Sequence, residues 1–210
     1  MLESLIFDLH NRLTQPLPGA LAHDIMRAKP VGSVVPEFSH TLPARPGAVL
    51  ILLYEQDREI RFPLIKRPEY LGAHSGQVSL PGGKAEPGED AVEAALREGE
   101  EEIGIDRAQL EIVGKLSDFF VIPSNFLVTP IVVWSKRLPV FRPDTREVSR
   151  ILTGNLLELT QEDAIRNREI LAAGKFRMMA PHFEIEGEVV WGATAMIINE
   201  LCHVIREVKR

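Results

Sequence analysis

Between residues 80 and 105 the chain reads Leu80-Pro81-Gly82-Gly83, a short polar stretch, and then Val92, Ala95, Leu96, Gly99 and Ile103 at the spacing of one helix face. The pattern predicts a helix from about Glu89 to Ile103, stopped by Gly104 where a left-handed cap is wanted. Beside the apolar stripe, Glu98, Glu101 and Glu102 fall within an arc of about 100°, which brings three carboxylates within reach of one point. As a purely structural helix this is costly. Like charges at i, i+4 oppose it by about 0.2–0.5 kcal/mol, and acids near the C-terminus oppose its dipole. A solvated acidic face is the ordinary reading of a charge run. The preceding turn argues for more, because Gly82 and Gly83 let a backbone carbonyl approach a cation and keep side chains out of a substrate's way. All-oxygen donors favour Mg²⁺ or Mn²⁺ over zinc.

The rest of the chain supplies a frame for that helix. Leu2, Leu5, Ile6, Leu9 and Leu13 predict an N-terminal helix that packs on the domain or on a partner, a homodimer being the simplest case. Pro30, Pro36, Pro43 and Pro46 suggest an extended, surface-wrapping segment. Residues 1–44 are therefore set apart from a single domain over 45–210. Strands are expected over Ala48 to Tyr54 and Phe62 to Lys66, joined through the polar loop 55–59. Further strands are expected over Ile112 to Phe120, Val128 to Trp134 and Phe183 to Val190, and helices over Asn155 to Ala173 and Gly192 to Val208.

Composition removes several function classes. At 210 residues with 45% hydrophobic and 26% charged residues, the chain can bury one substantial core. A net charge of -6 argues against general nucleic-acid binding, which needs a cationic face. The single cysteine, Cys202, points to a reducing cytoplasm, and the longest apolar runs are strand-sized, which argues against a membrane span.

Taken together, Gly83, Glu89, Arg97, Glu98, Glu101, Glu102, Gly104 and Ile105 resemble the Nudix box, G-x5-E-x7-R-E-U-x-E-E-x-G-U, with Gly99 standing where the family has an aliphatic residue. The resemblance implies an α/β/α sandwich around a mixed sheet. It implies that Glu98, Glu101 and Glu102 bind divalent ions with the carbonyl of Gly82. It also implies that Glu89 supports the site and that Arg97 orients the carboxylates through ion pairs.

Upstream, the run from Arg67 through Gly76 to Leu80 is similar to the coenzyme A diphosphatase branch of that family. Ile65, Pro68, Gly72 and Leu80 depart from the branch signature, while Arg67 and Gly76 keep their places. The segments Arg146-Glu147-Val148 and Val190 to Ala195 resemble the same branch. The resemblance implies metal-dependent cleavage of a small nucleotide, coenzyme A, to 3',5'-ADP and 4'-phosphopantetheine. Lys66, Arg67 and His74 are candidates to pair with its phosphates, Gly83 to leave it room, and a box glutamate or Glu147 to take a proton from water. Three rivals stand beside this: an ADP-ribose or dinucleotide diphosphatase, a sanitiser of oxidised nucleoside triphosphates, and a nucleotide-sensing module without catalysis.

Overall fold

The computed structural model describes residues 2–32, 37–69, 75–172, 174 and 176–209. In chain order the elements are α1 (Leu2–Leu13), α2 (Ala20–His23), β1 (Lys29–Pro30), β2 (Arg45–Gln56), β3 (Glu59–Lys66), β4 (Val78–Ser79), β5 (Gly82–Lys84), α3 (Ala91–Ile103), β6 (Leu110–Lys115), β7 (Phe119–Val121), β8 (Phe126–Ser135), β9 (Arg150–Asn155), α4 (Leu156–Leu159), β10 (Arg166–Ala172), β11 (Phe176–Ile185), β12 (Glu188–Val190) and α5 (Gly192–Val208).

Alternation along β2 organises the molecule. Leu50, Leu52 and Tyr54 point to one face, where they meet Ala94, Ala95 and Ile103 of α3. Ile51 and Leu53 point to the other, into a cluster shared with Leu5 and Leu9 of α1 and Leu201 and Ile205 of α5. Burial on both faces explains why this segment is an almost unbroken apolar run. The main sheet runs β4-β3-β2-β8-β6, with β5 on β2, β7 on β8 and β9 on β3. Its central β2–β8 pair is parallel and the others are antiparallel, so the sheet is mixed. Helices on both faces complete the expected α/β/α sandwich. A second, smaller sheet joins β1, β10 and β12 to β11.

The apolar stripe of α1 is consumed inside the chain, where Leu2, Leu5, Ile6, Leu9 and Leu13 join the core. The packing therefore runs across the boundary placed at residues 44 and 45. Of the proline-rich segment, Lys29–Pro30 pairs with β11, and Arg45 and Pro46 already belong to β2.

Three expectations change. Asn155 to Ala173 is not one helix: α4 ends at Leu159, a turn covers Glu162–Ala164, and Arg166–Ala172 pairs with β11. Residues 112–120 split into β6 and β7 around Ser117 and Asp118, whose side chains bond to Glu200 and Thr129. Residues 183–190 turn back at Glu186-Gly187, both with positive φ (48° and 79°), to form the β11–β12 hairpin. Among the described residues, no helix is long and apolar enough to cross a membrane.

Candidate active site

The turn Pro81-Gly82-Gly83 is laid along the start of β2, Gly82 opposite Val49 and Gly83 opposite Ala48. The amide of Leu50 donates to the Pro81 carbonyl at 2.8 Å and that of Ala85 to the Pro46 carbonyl at 3.1 Å. Glycine is required at Gly82, where a Cβ would stand 2.3 Å from the Ala48 carbonyl oxygen. Gly82 has φ 152°, and a Cβ on Gly83 would stand 2.5 Å from a carboxylate oxygen of Glu98. The turn and the acidic helix therefore touch through a bare backbone.

Helix α3 begins at a capping box: Asp90 accepts from the amides of Val92 and Glu93, and Glu93 accepts from the amide of Asp90. It ends at Gly104, φ 66°, in the left-handed conformation. Gly99 is explained by packing, because its Cβ would lie 2.7 Å from Leu50 Cδ2 and 2.8 Å from Ile105 Cδ1. The helix sits too close to β2 for the aliphatic residue the family has there.

Arg97 is the hub of the site. It grips Glu89 with two bonds, Nε at 2.9 Å and Nη2 at 3.1 Å, and donates from Nη1 to Glu98 at 2.9 Å and to Glu101 at 3.0 Å. Its Nη2 also reaches the Lys84 carbonyl at 3.0 Å, tying the helix to the turn. The Glu89 carboxyl is held below the usual carboxylate range chiefly by its hydrogen bonds from Arg97.

Glu102 is almost wholly buried, accepts from the Gly82 amide at 2.8 Å, and lies 3.5 Å from Arg67. Burial pushes its carboxyl up to about 7 against the pull of the Gly82 bond and Arg67, with Glu98 and Glu147 adding to the rise. Glu98 is raised too, first by burial and further by Glu101 and Glu147, although Arg97 opposes this. The amides of Arg142 and Asp144 bond the carbonyls of Ile103 and Glu102, at 2.8 and 3.0 Å, and so satisfy the open end of α3. Val148 is buried against the same core. The Glu147 loop is thus stitched to the helix.

Predicted site residues separate into groups. Glu98, Glu101, Glu102, Arg97, Glu89, Gly82 and Gly83 sit together, with Arg67 and Glu147 at the rim, while Gly104 caps the helix against Arg142. Lys66 is engaged elsewhere, its Nζ donating to Glu188 at 2.8 Å. His74 lies outside the described residues. The three box carboxylates do not converge on one point as the helical arc suggested: Glu98 and Glu101 are drawn to Arg97 and Glu102 to the turn. Among the described residues, no three His, Cys, Asp or Glu side chains are placed to hold a metal ion. The donor chemistry nevertheless fits a hard divalent cation, since buried carboxylates that raise one another are offset by a cation better than by water. The Arg67–Glu102 pair and the Arg142 and Asp144 stitches had no sequence signal, because each joins segments far apart in the chain.

A NUDIX domain model matches residues 44–178, and the chain belongs to the Nudix hydrolases. It is 34% identical over 167 residues to Nudix hydrolase 22, chloroplastic, of Arabidopsis thaliana, covering 76% of this chain and 55% of that one. It is 29% identical over 196 residues to the uncharacterized Nudix hydrolase NudL of Yersinia enterocolitica, covering 92% of this chain and 89% of that one. The match thus spans little more than half of the plant relative's length and most of the bacterial relative's. Among solved structures, the Nudix hydrolase RenU of M. smegmatis aligns with a TM-score of 0.52 at 13% identity, over 80% of this chain and 91% of that one. The MutT protein of Methanosarcina mazei aligns with a TM-score of 0.50 at 20% identity, over 82% and 100%. These two similarities concern the fold.

Proposed function

We propose that this chain hydrolyses the diphosphate of coenzyme A or its derivatives to 3',5'-ADP and 4'-phosphopantetheine. The observation that carries the reading is the meeting of Arg67 with buried Glu102. It puts the end of the segment resembling the coenzyme A branch directly on the acidic helix. Glu98, Glu101, Glu102 and the Gly82 carbonyl would hold Mg²⁺ or Mn²⁺, which would supply charge neutralisation for the diphosphate and activation of water. Arg97 holds the carboxylates in register. Glu147, beside Glu98 and Glu102, takes the proton of the attacking water. Arg67, with His74, meets the anionic groups of the substrate, and Gly83 leaves the backbone open to it.

The test incubates the chain with coenzyme A, 3'-dephospho-coenzyme A, ADP-ribose and NADH in Mg²⁺ or Mn²⁺, beside Glu102→Gln, with products identified by mass. Metal-dependent release of 4'-phosphopantetheine, lost in the variant, supports the reading. Preferential cleavage of ADP-ribose or of the dinucleotide overturns the substrate, and no cleavage at all overturns the enzyme.

A further inference from the structure

Gly83 is a ridge with two sides. One faces the Glu98 carboxylate; on the other, its carbonyl oxygen lies 2.7 Å from where a Cβ of Gly47 would be. Pairing places Lys84 opposite Gly47, Gly47 opposite Val128, and Arg45 opposite Phe126. Paired residues and residues two apart along a strand share a face. Lys84, Gly47, Arg45 and Phe126 therefore lie on one face of the sheet, opposite α3 and across the ridge from the acidic helix.

On that face Gly47 is buried and closed off by the Gly83 carbonyl and by the Phe126 ring, whose Cδ1 would be 3.2 Å from a Cβ there. The Arg45 guanidinium lies over this ring at 4.1 Å and donates one bond, from Nη2 to the Ser124 carbonyl at 2.7 Å. Stacking fixes the plane of the guanidinium and leaves its other N–H groups outward. Arg45 and Lys84 are exposed, and among the described residues the Lys84 ammonium has no ion-pair or hydrogen-bond partner. Two exposed cations without an ion-pair partner among the described residues thus stand on either side of the filled Gly47 position, beside the glycine that touches Glu98.

We propose that Arg45 and Lys84 clamp a phosphate monoester on the nucleoside end of the substrate, with Phe126 as the positioning residue that holds Arg45 flat. The clamp rests on the diphosphatase reading and deepens it. A substrate whose diphosphate crosses Gly83 would bring its acid-labile linkage to the carboxylates and its remaining phosphate to the cations.

The experiment measures kcat/KM for coenzyme A and for 3'-dephospho-coenzyme A in the wild type, Arg45→Ala, Arg45→Lys and Phe126→Leu. Binding of adenosine 3',5'-bisphosphate and of AMP to the metal-free protein is measured by calorimetry alongside. The preference for the phosphorylated substrate is expected to fall about tenfold in Arg45→Ala, the scale of one charged hydrogen bond, and to be partly kept in Arg45→Lys. Phe126→Leu should fall between them, and the calorimetric preference for the bisphosphate over AMP should fall in parallel. Unchanged preferences in Arg45→Ala overturn the clamp while leaving coenzyme A cleavage standing. Bisphosphate binding that depends on Arg45, in a protein that cleaves neither substrate, keeps the clamp and overturns coenzyme A as the molecule cleaved.

Discussion

Gly99 and Leu50 are in such close approach that the helix carrying the glutamates is seated by what Gly99 lacks: a Cβ there would stand 2.7 Å from Leu50 Cδ2. Glycine inside a helix costs about 1 kcal/mol relative to alanine, so its presence is offset by the closeness it permits. Gly99→Val should destabilise the chain by about 1–3 kcal/mol through overpacking. Combined with Leu50→Ala, which opens space at the same spot, it should cost less than the sum of the two single changes. Urea denaturation of the four proteins of this cycle measures the coupling; strict additivity would show that the glycine is not needed for the fit.

Arg97 makes five bonds, two of them to Glu89. Lysine keeps the charge but cannot reproduce the two-pronged grip. Arg97→Lys is expected to lower metal-dependent turnover by about 10–100-fold, the usual range for a residue that orients metal-binding groups. A titration of activity against Mn²⁺ reads both affinity and maximal rate, and an unchanged curve would remove Arg97 from the site.

Glu147 is exposed, and its loop is anchored through the backbone of Arg142, Asp144 and Val148. Glu147→Gln should therefore leave the fold intact, as judged by circular dichroism. Turnover should drop by about 10²–10⁴, with loss of the acid limb of the pH–rate profile. Retention of that limb would assign the base to another group.

Away from the acidic helix, Glu200 of α5 is fully buried and accepts from Ser117 Oγ at 2.6 Å and from the Gly19 amide at 3.0 Å, and pairs with His23 at 2.9 Å. Burial alone would raise its carboxyl, but the bonds from His23 and Ser117 outweigh it and hold the group below the ordinary carboxylate value. The unfolded chain takes up the proton first, so this stabilisation is present above about pH 4.3 and is lost as pH falls through the lower, folded value. Glu200→Gln should cost about 1–3 kcal/mol at pH 7. The gap from the wild type should close in strong acid. Denaturant midpoints at neutral and low pH decide it, and a gap independent of pH would mean that the carboxylate charge contributes nothing.

What could be read from the sequence was local. The stripe of α3, its Gly104 stop and the alternation of β2 follow from neighbours within one turn or one strand, and so did the grouping of Glu98, Glu101 and Glu102. The direction of their carboxylates did not, because it depends on Arg97 and on the Gly82 amide across the turn. Asn155 to Ala173 misled for the same reason: the leucines of α4 have helical spacing, but Arg166–Ala172 take their conformation from β11, beyond any local window. Glu186-Gly187 was a legible turn within the span assigned as one strand. Lys66 has the look of a free strand-end cation, and only the return of β12 supplies Glu188.

The parallel pairing of β2 with β8 also bears on how the chain is made. Until Phe126–Ser135 has been synthesised, β2 has no partner along that edge, and Leu50, Ile51, Leu52 and Leu53 wait with apolar side chains on both sides. Closing so long a loop is slow compared with forming α3, which is local. A ribosome-bound chain ending between these two strands would therefore display its future core as a sticky edge, the stage at which chaperone capture or aggregation would compete with folding.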